Sequence, residues 1–237
     1  MKIILNGALG RMGQAIIKKY GANNTIIEVD ARSEINPSLA SYTGDGEVII
    51  DFSNHAGTKE LLEYAMSKKL PVVIATTGQD VEEKKLIEEA SKVIPVFFSY
   101  NMSIGIAILA DFAKKAAAMM DDAEIEIVET HHDQKLDAPS GTALLLAKSM
   151  QEARSDAPIV CGRNGHAKRD PKEIGISSIR IGNVVGIHEI IISSGLETIT
   201  LKHEAHDRSL FADGAIKAAE FLIGKEPGLY EMKDMVK

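Results

Sequence analysis

One cysteine, Cys161, stands in the whole sequence, so no disulfide can close within the chain and a reducing, cytoplasmic setting is the expectation. Long apolar runs are missing as well. No stretch reaches the ~18 uninterrupted apolar residues that a membrane span requires. The best candidate, Ile104 to Met120, is broken by Asp111, Lys114 and Lys115. The opening residues, Met1-Lys2-Ile3-Ile4-Leu5-Asn6-Gly7, hold too short an apolar run for a signal peptide. Positive charge is not in excess: Lys and Arg number 27 against 34 Asp and Glu, a net charge of −7. That balance argues against broad nucleic-acid binding, which needs a basic face. It still permits a small basic pocket for an anionic ligand. Tryptophan is absent too, and its absence excludes nothing.

What is present describes an ordinary globule. Of the 237 residues, 45% are hydrophobic and 26% charged, which excludes wholesale disorder. The length suits one large domain or two small ones. Short Ile- and Val-rich runs lie at 2–6, 25–30, 47–52, 71–75 and 95–99. They are nearly unbroken, as in strands buried on both faces. Helix-period segments at 11–20, 55–69 and 80–92 lie between them, so the first hundred residues predict a parallel sheet with right-handed crossovers. The pattern then changes. A long helix is expected over 104–120, a half-exposed strand over 124–129 and a helix over 142–152. A polar loop follows over 154–173, then strands over 177–181, 187–193 and 197–203, and a last helix over 209–223 before a polar tail. The fold class is therefore α/β. A Rossmann-like parallel-sheet dinucleotide domain (1–101 plus 209–237) joins an α+β domain (102–208) with an open mixed sheet.

Gly7-Ala8-Leu9-Gly10-Arg11-Met12-Gly13 follows the first strand and opens a helix. Glycines there let the backbone turn tightly and approach a pyrophosphate, and the helix N-terminus offers free N–H groups. The spacing is G-x-x-G-x-x-G rather than G-x-G-x-x-G, so position in the fold carries the reading. Asp30 at the end of the second strand suits a ribose hydroxyl, whereas Arg32 suits a 2′-phosphate. NADH and NADPH both stay open. Later strand ends carry Ala75, Thr76 and Thr77, and then Ser99, Tyr100, Asn101 and Met102, where a sheet of this kind lines its cofactor. Ordinary loop capping by Ser and Thr is the plainer alternative for each of these.

Residues 129–143, Glu-Thr-His-His-Asp-Gln-Lys-Leu-Asp-Ala-Pro-Ser-Gly-Thr-Ala, form the densest polar cluster. Ser140 can cap the helix that follows. The N–H groups of Gly141 and Thr142 can then hold a carboxylate, with His131, His132 and Lys135 as further donors. A metal site is disfavoured: adjacent strand residues face opposite ways and no cysteine accompanies the histidines. A serine nucleophile lacks its G-x-S-x-G elbow and a Walker loop its Gly-Lys-Ser/Thr ending. A solvated loop before a capped helix is the bland alternative.

These residues carry a resemblance. The chain resembles the 4-hydroxy-tetrahydrodipicolinate reductase (dihydrodipicolinate reductase) family of lysine and diaminopimelate synthesis over its whole length. The specific part is E-x-H-H-x-x-K-x-D-A-P-S-G-T-A at Glu129 to Ala143, supported by Gly7–Gly13, Asp51-Phe52-Ser53, Thr76-Thr77-Gly78, Asn101-Met102-Ser103 and Arg180-x-Gly182-x-x-x-Gly186-x-His188. The resemblance implies a cytoplasmic homotetramer built through the second domain's sheet, with a small cyclic dicarboxylate substrate and no nucleic-acid or membrane partner. It implies cofactor contacts from Gly7, Ala8, Leu9, Gly10, Arg11, Met12, Asp30, Ala75, Thr76, Thr77, Ser99, Tyr100, Asn101 and Met102. It implies substrate contacts from His132, Lys135, Gly141 and Thr142, and His131 with Lys135 as the catalytic pair. Four departures stand out. Ala75 replaces a common glycine, Ala31-Arg32 replaces an acidic-then-arginine pair of some members, Ile192 replaces a common aromatic residue, and the Ala31–Gly46 loop is short for the family. The rival readings are another two-domain NAD(P)-dependent reductase and a non-catalytic NAD-binding regulator.

Overall fold

The computed structural model describes residues 1–236, and they divide into two compact units. The first comprises Met1–Ser103 and the chain from Ser209 on; the second is Ile104–Arg208.

In the first unit, strand and helix alternate: β1 (Lys2–Asn6), α1 (Arg11–Tyr20), β2 (Thr25–Val29), β3 (Val48–Asp51), α2 (Thr58–Lys68), β4 (Val72–Ile74), α3 (Val81–Ser91) and β5 (Pro95–Phe98). The returning chain adds α6 (Ser209–Leu222), β11 (Gly228–Tyr230) and a last turn, α7 (Met232–Met235). The six strands are all parallel, in the order β11-β5-β4-β3-β1-β2. β3 and β4 are buried at every residue because the sheet is covered on both faces, which is why their sequences, VIID and VVI, are nearly wholly apolar. Helix ends are set locally. Asp80 and Glu83 form a reciprocal capping box at the start of α3. Lys69 closes α2 in the left-handed conformation, φ 55°. The chain order runs from β1 outward to β2, then crosses to β3 on the other side. Ligands of such sheets sit at this reversal, beyond the carboxyl ends of the strands.

The second unit holds α4 (Ile104–Met119), β6 (Glu124–His131), α5 (Gly141–Gln151), β7 (Ile159–Cys161), β8 (Ile174–Arg180), β9 (Gly186–Ser193) and β10 (Thr198–Ala205). Its sheet is mixed, in the order β10-β9-β6-β8-β7: β8 runs parallel to β6 and β7, whereas β9 is antiparallel to β6 and β10. One face carries Ile125, Ile127, Ile174, Ile176, Ile190 and Ile192 onto α4 and α5. Those helices present Ala113, Ala117, Ala143 and Ala147, so their backbones can approach the sheet closely.

The structure corrects several sequence expectations. The stretch 154–173 is not all loop, because β7 lies within it; three residues paired along a sheet edge are too few to show an alternating pattern. The tail is not plain either: β11 extends the parallel sheet. β8 begins at Ile174 rather than at 177, and β6 continues to His131.

Candidate functional site

The glycine loop of the first unit sits at the topological reversal. Gly7 has φ +84°, and a Cβ there would lie 2.5 Å from the Phe52 carbonyl oxygen, beyond β3. A Cβ on Gly13 would lie 2.4 Å from the Ala8 carbonyl oxygen, so glycine lets α1 start tight against the loop. Gly10, the N-cap of α1, contributes no side-chain cap, and no acidic residue stands in the first turn. The N-terminus of α1 therefore keeps its donors for an external anion. Asp30, buried just past β2, accepts the Leu9 N–H at 3.0 Å. Its carboxylate also takes the Arg32 guanidinium through Nε at 2.8 Å and Nη2 at 3.0 Å. The Arg32 pair and the backbone bonds from Arg32 and Leu9 outweigh burial and hold the Asp30 carboxyl at about 2. An acidic group held ready beside an uncapped helix start fits a dinucleotide.

The remaining predicted cofactor residues lie beyond adjacent strands, β4 and β5. Ala75 and Thr76 are buried, and Thr77 is exposed. The Thr76 hydroxyl donates to Asp51 at 2.6 Å, so it braces a neighbouring strand end. Asp51 also accepts from Ser53 Oγ at 2.6 Å and Asn6 Nδ2 at 2.8 Å. Burial raises its carboxyl above the usual range, and these three donors offset the shift in part. Asp51 thus ties the ends of β1, β3 and β4 together. Ser99, Asn101 and Ser103 form a self-bonded turn, with Ser99 Oγ donating to the Asn101 carbonyl at 2.8 Å. Met102 is buried, and Tyr100 is half exposed.

In the second unit the β6–α5 connection carries the chemistry. Glu129 is wholly buried at the end of β6. Arg180 grips it with two bonds, Nη1 to Oε2 at 2.9 Å and Nη2 to Oε1 at 2.8 Å. His131 Nδ1 meets Oε2 at 2.5 Å, and the Ser140 N–H donates to Oε1 at 3.1 Å. Burial alone would raise the Glu129 carboxyl, but bonds from Arg180, Ser178, His131 and Ser140 pull it down to about 2. Its carboxylate accepts at Nδ1, which assigns the proton of a neutral His131 to that nitrogen and leaves Nε2 as an acceptor. Burial lowers the His131 pKa; Glu129 opposes this and the Lys135 and Arg180 cations add to it. His188 packs edge-on against His131, 5.2 Å between ring centres, and approaches Ser140 Oγ at 3.2 Å. Burial and then His131 drive the His188 pKa down to about 3.

Ser140 caps α5, its Oγ accepting the Ala143 N–H at 3.2 Å. Lys135 Nζ pairs with Asp137 Oδ1 at 2.8 Å. Arg208 donates to His132 Nε2 at 3.2 Å. His131, His132, Lys135, Gly141 and Thr142 are thus gathered in one connection, although His131 and Lys135 are each paired with a separate carboxylate. The sequence reading had no role for Glu129 or Asp137. Glu129 shares strand parity with Ile125 and Ile127, so a charge in the buried phase was the available signal. Among the described residues there is no group of three or more His, Cys, Asp and Glu side chains that could hold a metal ion.

Both units match known proteins in sequence. Residues 1–102 match the family model described as dihydrodipicolinate reductase, N-terminus, and residues 105–236 match its C-terminus. A 4-hydroxy-tetrahydrodipicolinate reductase of Caldanaerobacter subterraneus is 43% identical, covering 100% of this chain and 98% of its own. One from Clostridium novyi is 41% identical, with the same coverage of 100% and 98%. Among solved structures, a dipicolinate-bound dihydrodipicolinate reductase from Paenisporosarcina sp. TG-14 shares the fold, with TM-score 0.78 at 23% identity and 98% of each chain covered. An aspartate dehydrogenase from Thermotoga maritima is more distant, with TM-score 0.53 at 15% identity, covering 95% of this chain and 98% of its own.

Proposed function

Because the chain belongs to the dihydrodipicolinate reductase family, we propose that it reduces 4-hydroxy-tetrahydrodipicolinate to tetrahydrodipicolinate in diaminopimelate and lysine synthesis, using NADH or NADPH. Substrate and product differ by the 4-hydroxyl, so one hydride and one proton enter and one water leaves. The nicotinamide dinucleotide, when bound, supplies the hydride.

Gly7, Ala8, Leu9, Gly10, Arg11 and Met12 would hold its pyrophosphate, and Asp30 its adenosine ribose. Ala75, Thr76, Thr77, Ser99, Tyr100, Asn101 and Met102 would line its nicotinamide end. The Asp30–Arg32 pair suits both dinucleotides: Asp30 offers an acceptor to a ribose diol, and Arg32 offers a cation to a 2′-phosphate. Residues 1–101 with 209–237 form the dinucleotide domain, and residues 102–208 the substrate and oligomerisation domain. A cytoplasmic homotetramer completes the reading, and light scattering that returns a monomer mass would remove that part of it.

His132, Lys135 and the Gly141 and Thr142 N–H groups hold the two substrate carboxylates. Lys135 Nζ stabilises the negative charge that develops on the ring and delivers the proton. Its partner is His131. At neutral pH burial keeps that imidazole neutral, with Nδ1–H held by Glu129, so its Nε2 accepts rather than donates. Glu129 and Arg180 are positioning residues: they fix the imidazole and the start of α5 together.

One observation carries this reading. A carboxylate-held imidazole, an ammonium and a capped helix N-terminus meet within the β6–α5 connection. The test is oxidation of NADH and of NADPH with substrate made in situ from pyruvate and aspartate semialdehyde by its synthase. Oxidation that depends on the synthase is the expected result. Intact dinucleotide binding without any oxidation would instead favour a binding regulator.

A further inference from the structure

Lys135 and the Gly141 N–H are the donors just assigned to a substrate carboxylate, yet the chain already offers them one of its own. Asp137 Oδ1 lies 2.8 Å from Lys135 Nζ, and the Gly141 backbone at the start of α5 is near enough to help lower the same carboxyl. Together with burial, which acts the other way, these contacts leave the Asp137 carboxyl below its usual range.

We propose that Asp137 is an internal stand-in for a substrate carboxylate: it holds Lys135 and the start of α5 in place before substrate arrives and gives up both to the incoming dicarboxylate. This rests on reading the β6–α5 connection as the substrate site. Four observations support it. The Asp137 side chain is 57% exposed whereas that of Lys135 is 22% exposed, so the carboxylate is the partner that can leave for water without a desolvation cost. The Asp137 backbone is anchored, its carbonyl accepting Arg180 Nη2 at 2.6 Å, so release needs only side-chain rotation. Gly141 is not packed in, since a Cβ there would meet nothing within 4 Å, so the first residue of α5 borders open space. Glu129, the other carboxylate of the connection, cannot play this part, because it is buried and held by Arg180, His131 and the Ser140 N–H.

The stand-in gives the anion site order in the free protein and subtracts from its affinity. Removing the charge at Asp137 therefore tightens anion binding. The full-length protein and its Asp137→Asn variant are titrated calorimetrically with dipicolinate, a planar dicarboxylate. The variant is expected to bind roughly two- to fivefold more tightly, the scale of one exposed ion pair. Its KM for substrate should fall. Unchanged or weaker binding by a folded variant would overturn the proposal. A crystal structure of the unmutated protein with dipicolinate is independent of the variant's folding. A ligand carboxylate between Lys135 Nζ and the Gly141 N–H, with Asp137 turned away, is expected; Asp137 still seated there beside bound ligand would overturn it. If the unmutated protein binds no dipicolinate, the substrate-site reading falls first and takes this proposal with it.

Discussion

Glu129 has no exposed surface, yet it anchors a guanidinium, an imidazole and the start of a helix. Removing its charge leaves Arg180 facing an amide in a buried setting. Glu129→Gln should cost roughly 3 kcal/mol, read as a lower melting temperature. The pH dependence has a definite sign. A carboxyl held at about 2 in the folded state stabilises fully above the ordinary carboxylate range, and that contribution is lost as pH falls toward 2. The melting temperature of the unmutated protein should therefore fall more steeply between about pH 5 and pH 3 than that of Glu129→Gln; parallel slopes would show that Glu129 does not titrate this way. Lys135 tests the chemistry instead. Lys135→Ala should lower kcat roughly 10²–10⁴-fold with NADH affinity retained, and near-normal turnover would remove Lys135 from the reaction. Arg32→Ala should raise KM for NADPH roughly tenfold relative to NADH, because only the 2′-phosphate needs the guanidinium. Much of this was legible in order along the chain: His131, His132 and Lys135 stand out as polar residues before a capped helix. The grip of Arg180 on Glu129 was not, because Arg180 lies on β8 and only strand register brings it alongside.

At the scale of elements, α6 shows how tightly a helix can be set. A Cβ on Gly214 would lie 1.6 Å from the Met102 carbonyl oxygen, so the helix backbone presses on the turn that follows β5. Gly214→Ala must push one of them away. It should cost about 1–3 kcal/mol and weaken dinucleotide binding, since Met102 belongs to the proposed cofactor loop. Thermal melts and an NADH titration of the same protein would check both effects; an alanine tolerated without change would mean that the contact relaxes freely. The elements legible in sequence were those with a strong apolar signal, such as β3 and β4, unbroken runs with every residue buried. β7 and β11 were not, because a short strand at a sheet edge owes its existence to one neighbour, β8 and β5 respectively.

At the scale of the whole molecule, the proposed roles divide between the two units, and hydrogen exchange can test that division. NADH should slow exchange within residues 1–103 and 209–236, whereas dipicolinate should slow it within 104–208. Protection by NADH centred on the β6–α5 connection would overturn the assignment. The first unit also interrupts itself. Its sheet is begun by β1 and completed by β11, and the second unit is spelled out in between. During synthesis the second unit has all its residues while the first still waits for α6 and β11. Domains that form from the N-terminus onward do so because their residues emerge in that order. Here the half that starts first finishes last, so the ribosome holds an incomplete parallel sheet, its edge at β5 open, until the closing residues arrive.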